Sequence, residues 1–167
     1  KKIGKPILMN IPDGSLGIDF KDYNKFKLMI ENIKPDLIIT HYKSDYHSDH
    51  RALYKIVKYS SGHYTPILFC DTMMGLNFNP NYYVDITSEF NLKIKAILKH
   101  KSQAPERFVN LAKLMNSYRA AQCNAPIGKF AEAYKFNKNF PFSDIRSLLP
   151  KSLKILPFDI KNQRGFL

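Results

Sequence analysis

The stretch Pro35-Asp36-Leu37-Ile38-Ile39-Thr40-His41-Tyr42-Lys43-Ser44-Asp45-Tyr46-His47-Ser48-Asp49-His50-Arg51-Ala52 decides how the chain is read. Pro35 ends any helix before it, because proline disfavours helical backbone in the preceding residue. Leu37-Ile38-Ile39 is a short, uniformly apolar run, as in a strand buried on both faces of a parallel sheet. Three of the five histidines (His41, His47 and His50) follow it. Ala52, Leu53, Ile56 and Val57 then recur at helical spacing, so a helix starts near residues 48–50. In open α/β sheets ligands bind beyond the carboxyl ends of strands, and the histidine run stands at that place.

Working outward, Pro6-Ile7-Leu8-Met9 reads as a short strand entering a turn at Ile11-Pro12-Asp13-Gly14-Ser15. Tyr23, Phe26, Met29, Ile30 and Ile33 predict a helix over about 22–34. Ile67-Leu68-Phe69 and Tyr83-Val84-Asp85-Ile86 read as strands. Phe90, Ile94, Ile97 and Leu98 mark a helix with Thr87 or Ser88 as N-cap. Pro105 suits the first turn of a further helix carrying Phe108, Leu111, Met115 and Tyr118. Phe130, Glu132, Tyr134 and Phe136 alternate with Ala131, Ala133 and Lys135, as in a strand, and a half-buried Glu132 would need a partner. Strands alternating with helices predict an α/β fold with a Rossmann-like, mostly parallel sheet flanked by helices. Residues 1–136 read as part of one domain. Pro141, Pro150 and Pro157 interrupt every pattern in 137–167, which reads as an irregular extension packed on that domain.

The 167 residues are enough for one domain of ordinary size, and 44% hydrophobic with 24% charged residues is the composition of a soluble globular protein. No apolar run approaches the roughly 18 residues of a membrane helix. Cys70 and Cys123 are too few for a disulfide framework and read as reduced thiols, which places the protein in the cytoplasm. The net charge of +12 raises nucleic acid or phosphate as a partner. The lysines are dispersed, however, and Lys93, Lys95, Lys99 and Lys101 read as one solvated helix face. A basic phosphate- or nucleic-acid-binding module is therefore an alternative, to be recognised by basic side chains gathered with exposed aromatics. A homo-oligomer is left open.

His47 and His50 stand three positions apart at a loop-to-helix junction, so both rings can face one small volume. One could bind zinc while the other stays free as a proton donor or as a positive charge beside an oxyanion. Asp45 and Asp49 are close enough to hold an imidazole N–H. The same spacing also suits an exposed helix start where Asp or Ser merely caps. His63 and His100, taken alone, read as surface or core histidines.

Four segments resemble, in order, the LmbE-like/PIG-L zinc-dependent N-acetylglucosaminyl deacetylases. They are Ile11-Pro12-Asp13-Gly14, the stretch from Pro35 to Ala52, Val84-Asp85-Ile86 leading to His100-Lys101-Ser102-Gln103, and Ala131-Glu132-Ala133-Tyr134. Ser48 stands where that family usually has proline. The resemblance implies removal of an acetyl group from an N-acetylated amino sugar, an amide hydrolysis at a C–N bond that is not a peptide bond. It implies zinc bound by His50, His47 as acid or oxyanion partner, Asp49 orienting and charge-tuning His47, and Asp13 on sugar hydroxyls, with Asp45 and Arg51 bordering the substrate. The family's opening strand and His-Pro-Asp-Asp-Glu run, which supplies two more ligands and the base, has no counterpart here. The first strand–helix unit is thus expected to be lacking and the chain alone to be inactive. A non-catalytic relative that kept the fold is the second alternative.

Overall fold

The computed structural model describes residues 4–61, 65–137 and 149–150. Helix α1 spans Phe20–Ile33, strand β1 Ile38–Thr40, helix α2 Ser48–Ser60 and strand β2 Ile67–Cys70. Strand β3 spans Tyr82–Asp85, helix α3 Phe90–Ile97, helix α4 Pro105–Gln122 and strand β4 Ala131–Asn137. Helix α1 begins where the Asp19 side chain accepts the Lys21 N–H, and it ends at Lys34 in a left-handed conformation before Pro35. The Lys34 N–H caps Ile30.

The sheet order is β1-β2-β4-β3. Strand β1 runs parallel to β2, with Thr40 opposite Phe69. Strand β4 runs antiparallel to both neighbours, with Tyr134 opposite Cys70 and Glu132 opposite Val84. On one face Ile67, Phe69 and Ala133 pack with Tyr42, Phe78 and Val57, the last from α2. On the other face lie Cys70, Glu132 and Tyr134, beneath α3 and α4.

The expectation of a mostly parallel sheet is corrected: the sheet is mixed. One helix joins β1 to β2, so the chain re-enters the sheet in the same direction. Two helices, α3 and α4, join β3 to β4, and this second reversal brings β4 in antiparallel. Residues 6–9 form no strand. Strand β1 is not buried on both faces, for Ile39 is 57% exposed while Thr40 is buried. Neither Thr87 nor Ser88 caps α3; Glu89 holds that position without a side-chain bond, and Thr87 bonds Asp85 instead. In α4, Tyr118 is exposed and the buried face carries Asn116, Arg119 and Ala120. Lys93 leaves the solvated face expected for it and pairs with Glu132 at 2.6 Å. The extension over 137–167 lies outside the described residues beyond Asn137 except at Leu149 and Pro150, whose carbonyl accepts the Tyr82 hydroxyl. His63 also lies outside the described residues. Among the described residues, no helix is long and apolar enough to cross a membrane.

Candidate functional site: a histidine–aspartate cluster at the end of β1

The cluster is built on the turn between β1 and α2, at the carboxyl end of the sheet. Residues 41–47 form the loop, and His47 is itself the N-cap of α2. Its Nδ1 accepts the Asp49 N–H at 3.2 Å, satisfying one of the orphan donors of a helix start. An Nδ1 that accepts leaves the proton of a neutral imidazole on Nε2. That nitrogen lies 3.7 Å from Asp13 Oδ1.

His50 is held the opposite way. Its Nδ1 lies 3.0 Å from Asp45 Oδ1. Asp45 is only 6% exposed and sits beneath the rings, so a hydrogen bond to its carboxylate places the His50 proton on Nδ1 and leaves the Nε2 lone pair free. The two rings lie 4.9 Å apart, centroid to centroid. His41 stacks on His50 at 3.7 Å and 5°, with its Nδ1 3.9 Å from Asp45 Oδ2. Burial first, and then the neighbouring His50, lower the His41 pKa below its ordinary value, against the pull of Asp45.

The loop over residues 13–17 is pinned onto this cluster by carboxylates. Asp49 Oδ2 accepts the Gly14 N–H at 2.8 Å and its Oδ1 the Leu16 N–H at 3.4 Å, while the buried Asp22 accepts the Gly17 N–H at 3.0 Å. Gly17 has φ +79°, and a Cβ there would meet the Ala52 Cβ of α2 at 3.2 Å. A side chain here would strain the backbone and crowd α2, so glycine suits the loop's close approach to the helix. Arg51 ties the other loop, its guanidinium donating to the carbonyls of Asp45 at 2.9 Å and Tyr46 at 2.6 Å.

Asp13, Asp45, His47, Asp49, His50 and Arg51, the site residues expected from the sequence, lie in or against this one cluster. Asp13 is exposed and faces His47. Asp45 lies under His50, away from solvent. Asp49 meets His47 through its backbone N–H, and its carboxylate goes to the 13–17 loop. The stacking role of His41 was not expected, because spacing along the chain does not say which ring lies over which. His41, Asp45 and His50 form one group whose ligand atoms are close enough to share a metal ion, and Asp13, His47 and Asp49 form another.

No curated protein matches the chain significantly in sequence. Among solved structures, GalB, the 4-carboxy-2-hydroxymuconate hydratase of Pseudomonas putida KT2440, is similar in fold, with a TM-score of 0.60 at 17% identity. The similarity covers 75% of this chain and 61% of that one, so the chain spans about three-fifths of that structure's length. Residues 2–60, which hold every member of the histidine–aspartate cluster, match the family model of PIG-L, GlcNAc-PI de-N-acetylase, and bear out the resemblance to that family read from the sequence.

Proposed function

We propose that this cluster is part of the active site of a zinc-dependent de-N-acetylase, an amide hydrolase that takes the acetyl group from an N-acetylglucosaminyl substrate. The observation that carries the proposal is the opposed hydrogen bonding of two adjacent imidazoles. His50 has its Nδ1 on the Asp45 carboxylate and a free Nε2, the arrangement of a metal-binding histidine. His47 has its Nδ1 occupied by a backbone donor and its Nε2–H turned outward, the arrangement of a hydrogen-bond donor to developing charge.

The donor set fits zinc: an imidazole nitrogen backed by a buried carboxylate is a usual zinc ligand, and further ligands would come from sequence upstream of the described residues. Bound zinc would supply Lewis acidity and a water pKa of about 7. The rest of the chemistry falls to the chain. Asp45 keeps His50 in the binding tautomer. His47 Nε2–H donates to the oxygen of the acetamide as it gains charge. To pass a proton to the leaving amine, His47 must first take one up at Nδ1 and release the Asp49 N–H. Asp13, with its carboxylate almost fully in solvent, accepts from sugar hydroxyls, and Arg51, whose guanidinium holds the carbonyls of Asp45 and Tyr46, borders the substrate. Two reduced thiols agree with a cytoplasmic setting.

Zinc affinity and acetate release, measured on the chain together with its upstream sequence, test this. His50→Ala should lose both. His47→Ala should keep zinc and lose about 10²- to 10⁴-fold in turnover. Undiminished zinc affinity in His50→Ala would remove the basis of the proposal.

A further inference from the structure

A cavity of about 480 Å3 lies on the other face of the sheet from α2, lined by β4, α3, α4 and the turn that follows β2. Its volume is that of a small-molecule site. Its apolar wall is made by Ile97, Phe108, Leu111, Ala112 and Met115, with Met73 at the turn after β2. The charged groups along it are already paired. Lys93 Nζ bonds Glu132 at 2.6 Å, and Tyr134 donates to the same carboxylate. Asp71 is held by Arg119 at 2.6 and 2.9 Å. A charged ligand would have to compete with these pairs for a counter-charge, His100 being the further titratable group on the lining, whereas an uncharged apolar group would meet the apolar wall and leave the pairs intact. The Cys70 thiol on the wall agrees: burial, and then Glu132, push its pKa up to about 11.

Position ties the cavity to the cluster. Strands β1 and β2 are parallel neighbours with Thr40 opposite Phe69, so the loop that starts at His41 and the turn that starts at Asp71 leave the sheet at the same end, one strand apart. Met73 and Met74 are 40% and 60% exposed there. Methionine is unbranched and polarizable and adapts to apolar groups of different shape. Gly75, at φ +68°, lets this turn lie against α4, since a Cβ would meet Arg119 Nη2 at 2.8 Å.

We infer that this cavity receives an uncharged alkyl or aryl aglycone of the amino-sugar substrate whose acetamide meets the histidine cluster. The inference rests on the de-N-acetylase reading and adds to it a substrate class: glycosides with an apolar aglycone.

The test is calorimetric, on the chain together with its upstream sequence, with the methyl and octyl β-glycosides of N-acetylglucosamine and with octyl glucoside as probes. The octyl amino-sugar should bind at least about 30-fold more tightly than the methyl one, several buried methylenes each being worth roughly fourfold. Ala112→Phe fills the cavity and Met73→Glu places a charge at its exposed mouth. Both should erase the octyl advantage and leave methyl glycoside binding unchanged. An advantage that survives both variants, or an octyl compound no tighter than the methyl one, overturns the cavity assignment and leaves the deacetylase reading standing. Octyl glucoside binding as tightly as the octyl amino-sugar would show an apolar hole unconnected with the substrate and overturn it too. Failure of both amino-sugars to bind overturns both readings.

Discussion

The carboxylate of Asp49 accepts the backbone N–H of Gly14 at 2.8 Å, joining the first turn of α2 to a loop 35 residues earlier. Its second oxygen takes the Leu16 N–H, so one side chain carries two loop donors and a helix-start negative charge together. The family resemblance gives Asp49 the task of tuning His47; the geometry gives its carboxylate the task of holding the loop that aims Asp13 at His47. Asp49→Ala should therefore free the amides of Gly14 and Leu16 to exchange with solvent and cost about 1–3 kcal/mol of stability. Amide exchange by NMR distinguishes this from a role confined to His47: unchanged protection at both amides would refute the clamp.

Asp45 is the corresponding support for His50. Asp45→Asn keeps the volume but takes away the negative charge that favours a proton on His50 Nδ1. Zinc affinity should fall about 10- to 100-fold, as for other partners of metal-bound histidines. Competition against a chromophoric chelator measures it, and an unchanged affinity would mean that Asp45 supports only the loop.

The helices and the cluster's location were legible because each rests on a local pattern. The stripe Ala52, Leu53, Ile56, Val57 demands a covered face, and His47 and His50 at a loop-to-helix junction must be near one another. What escaped depends on partners distant in sequence. Leu37-Ile38-Ile39 says that the segment is apolar, but not whether anything covers Ile39. The buried side of α4 is marked by polar Asn116 and Arg119, whose burial is tolerable only because Ala131 O accepts from Asn116 at 2.7 Å and Asp71 faces Arg119. A hydrophobic pattern points instead to Tyr118, which is 54% exposed. The direction of β4 follows from counting two helices before it, a signal that was present in the sequence and that strand–helix alternation alone does not convey.

Arg119 illustrates the cost of such burial. Its side chain is 4% exposed and donates through Nε and Nη2 to Asp71 and through Nη1 to Gln122. Arg119→Met should destabilise the fold by about 3 kcal/mol, because it leaves the Asp71 carboxylate partly buried without its counter-charge. Adding Asp71→Leu should return much of that loss by removing the stranded charge. Urea unfolding of the single and double variants tests the pair, and a double variant no more stable than the single would show that the arginine acts through packing alone.

Glu132 sets an acid limit on stability. Burial would raise its carboxyl, but the Lys93 charge and the hydrogen bonds from Lys93 and Tyr134 outweigh burial and hold its pKa below the ordinary carboxylate value. The folded chain then binds fewer protons at this site than the unfolded chain, whose glutamate titrates near about 4.3. Stability from the pair is therefore present above that pH and is lost as pH falls through the lower folded value. Glu132→Gln should be less stable than the parent at neutral pH, since it leaves Lys93 half-buried without a counter-charge, and its stability should fall less on acidification. Urea midpoints of both proteins from pH 7 down to pH 3 measure the difference. Parallel curves over that range would mean that Glu132 is not held ionised by Lys93, and the charge-paired wall of the cavity would have to be reconsidered with it.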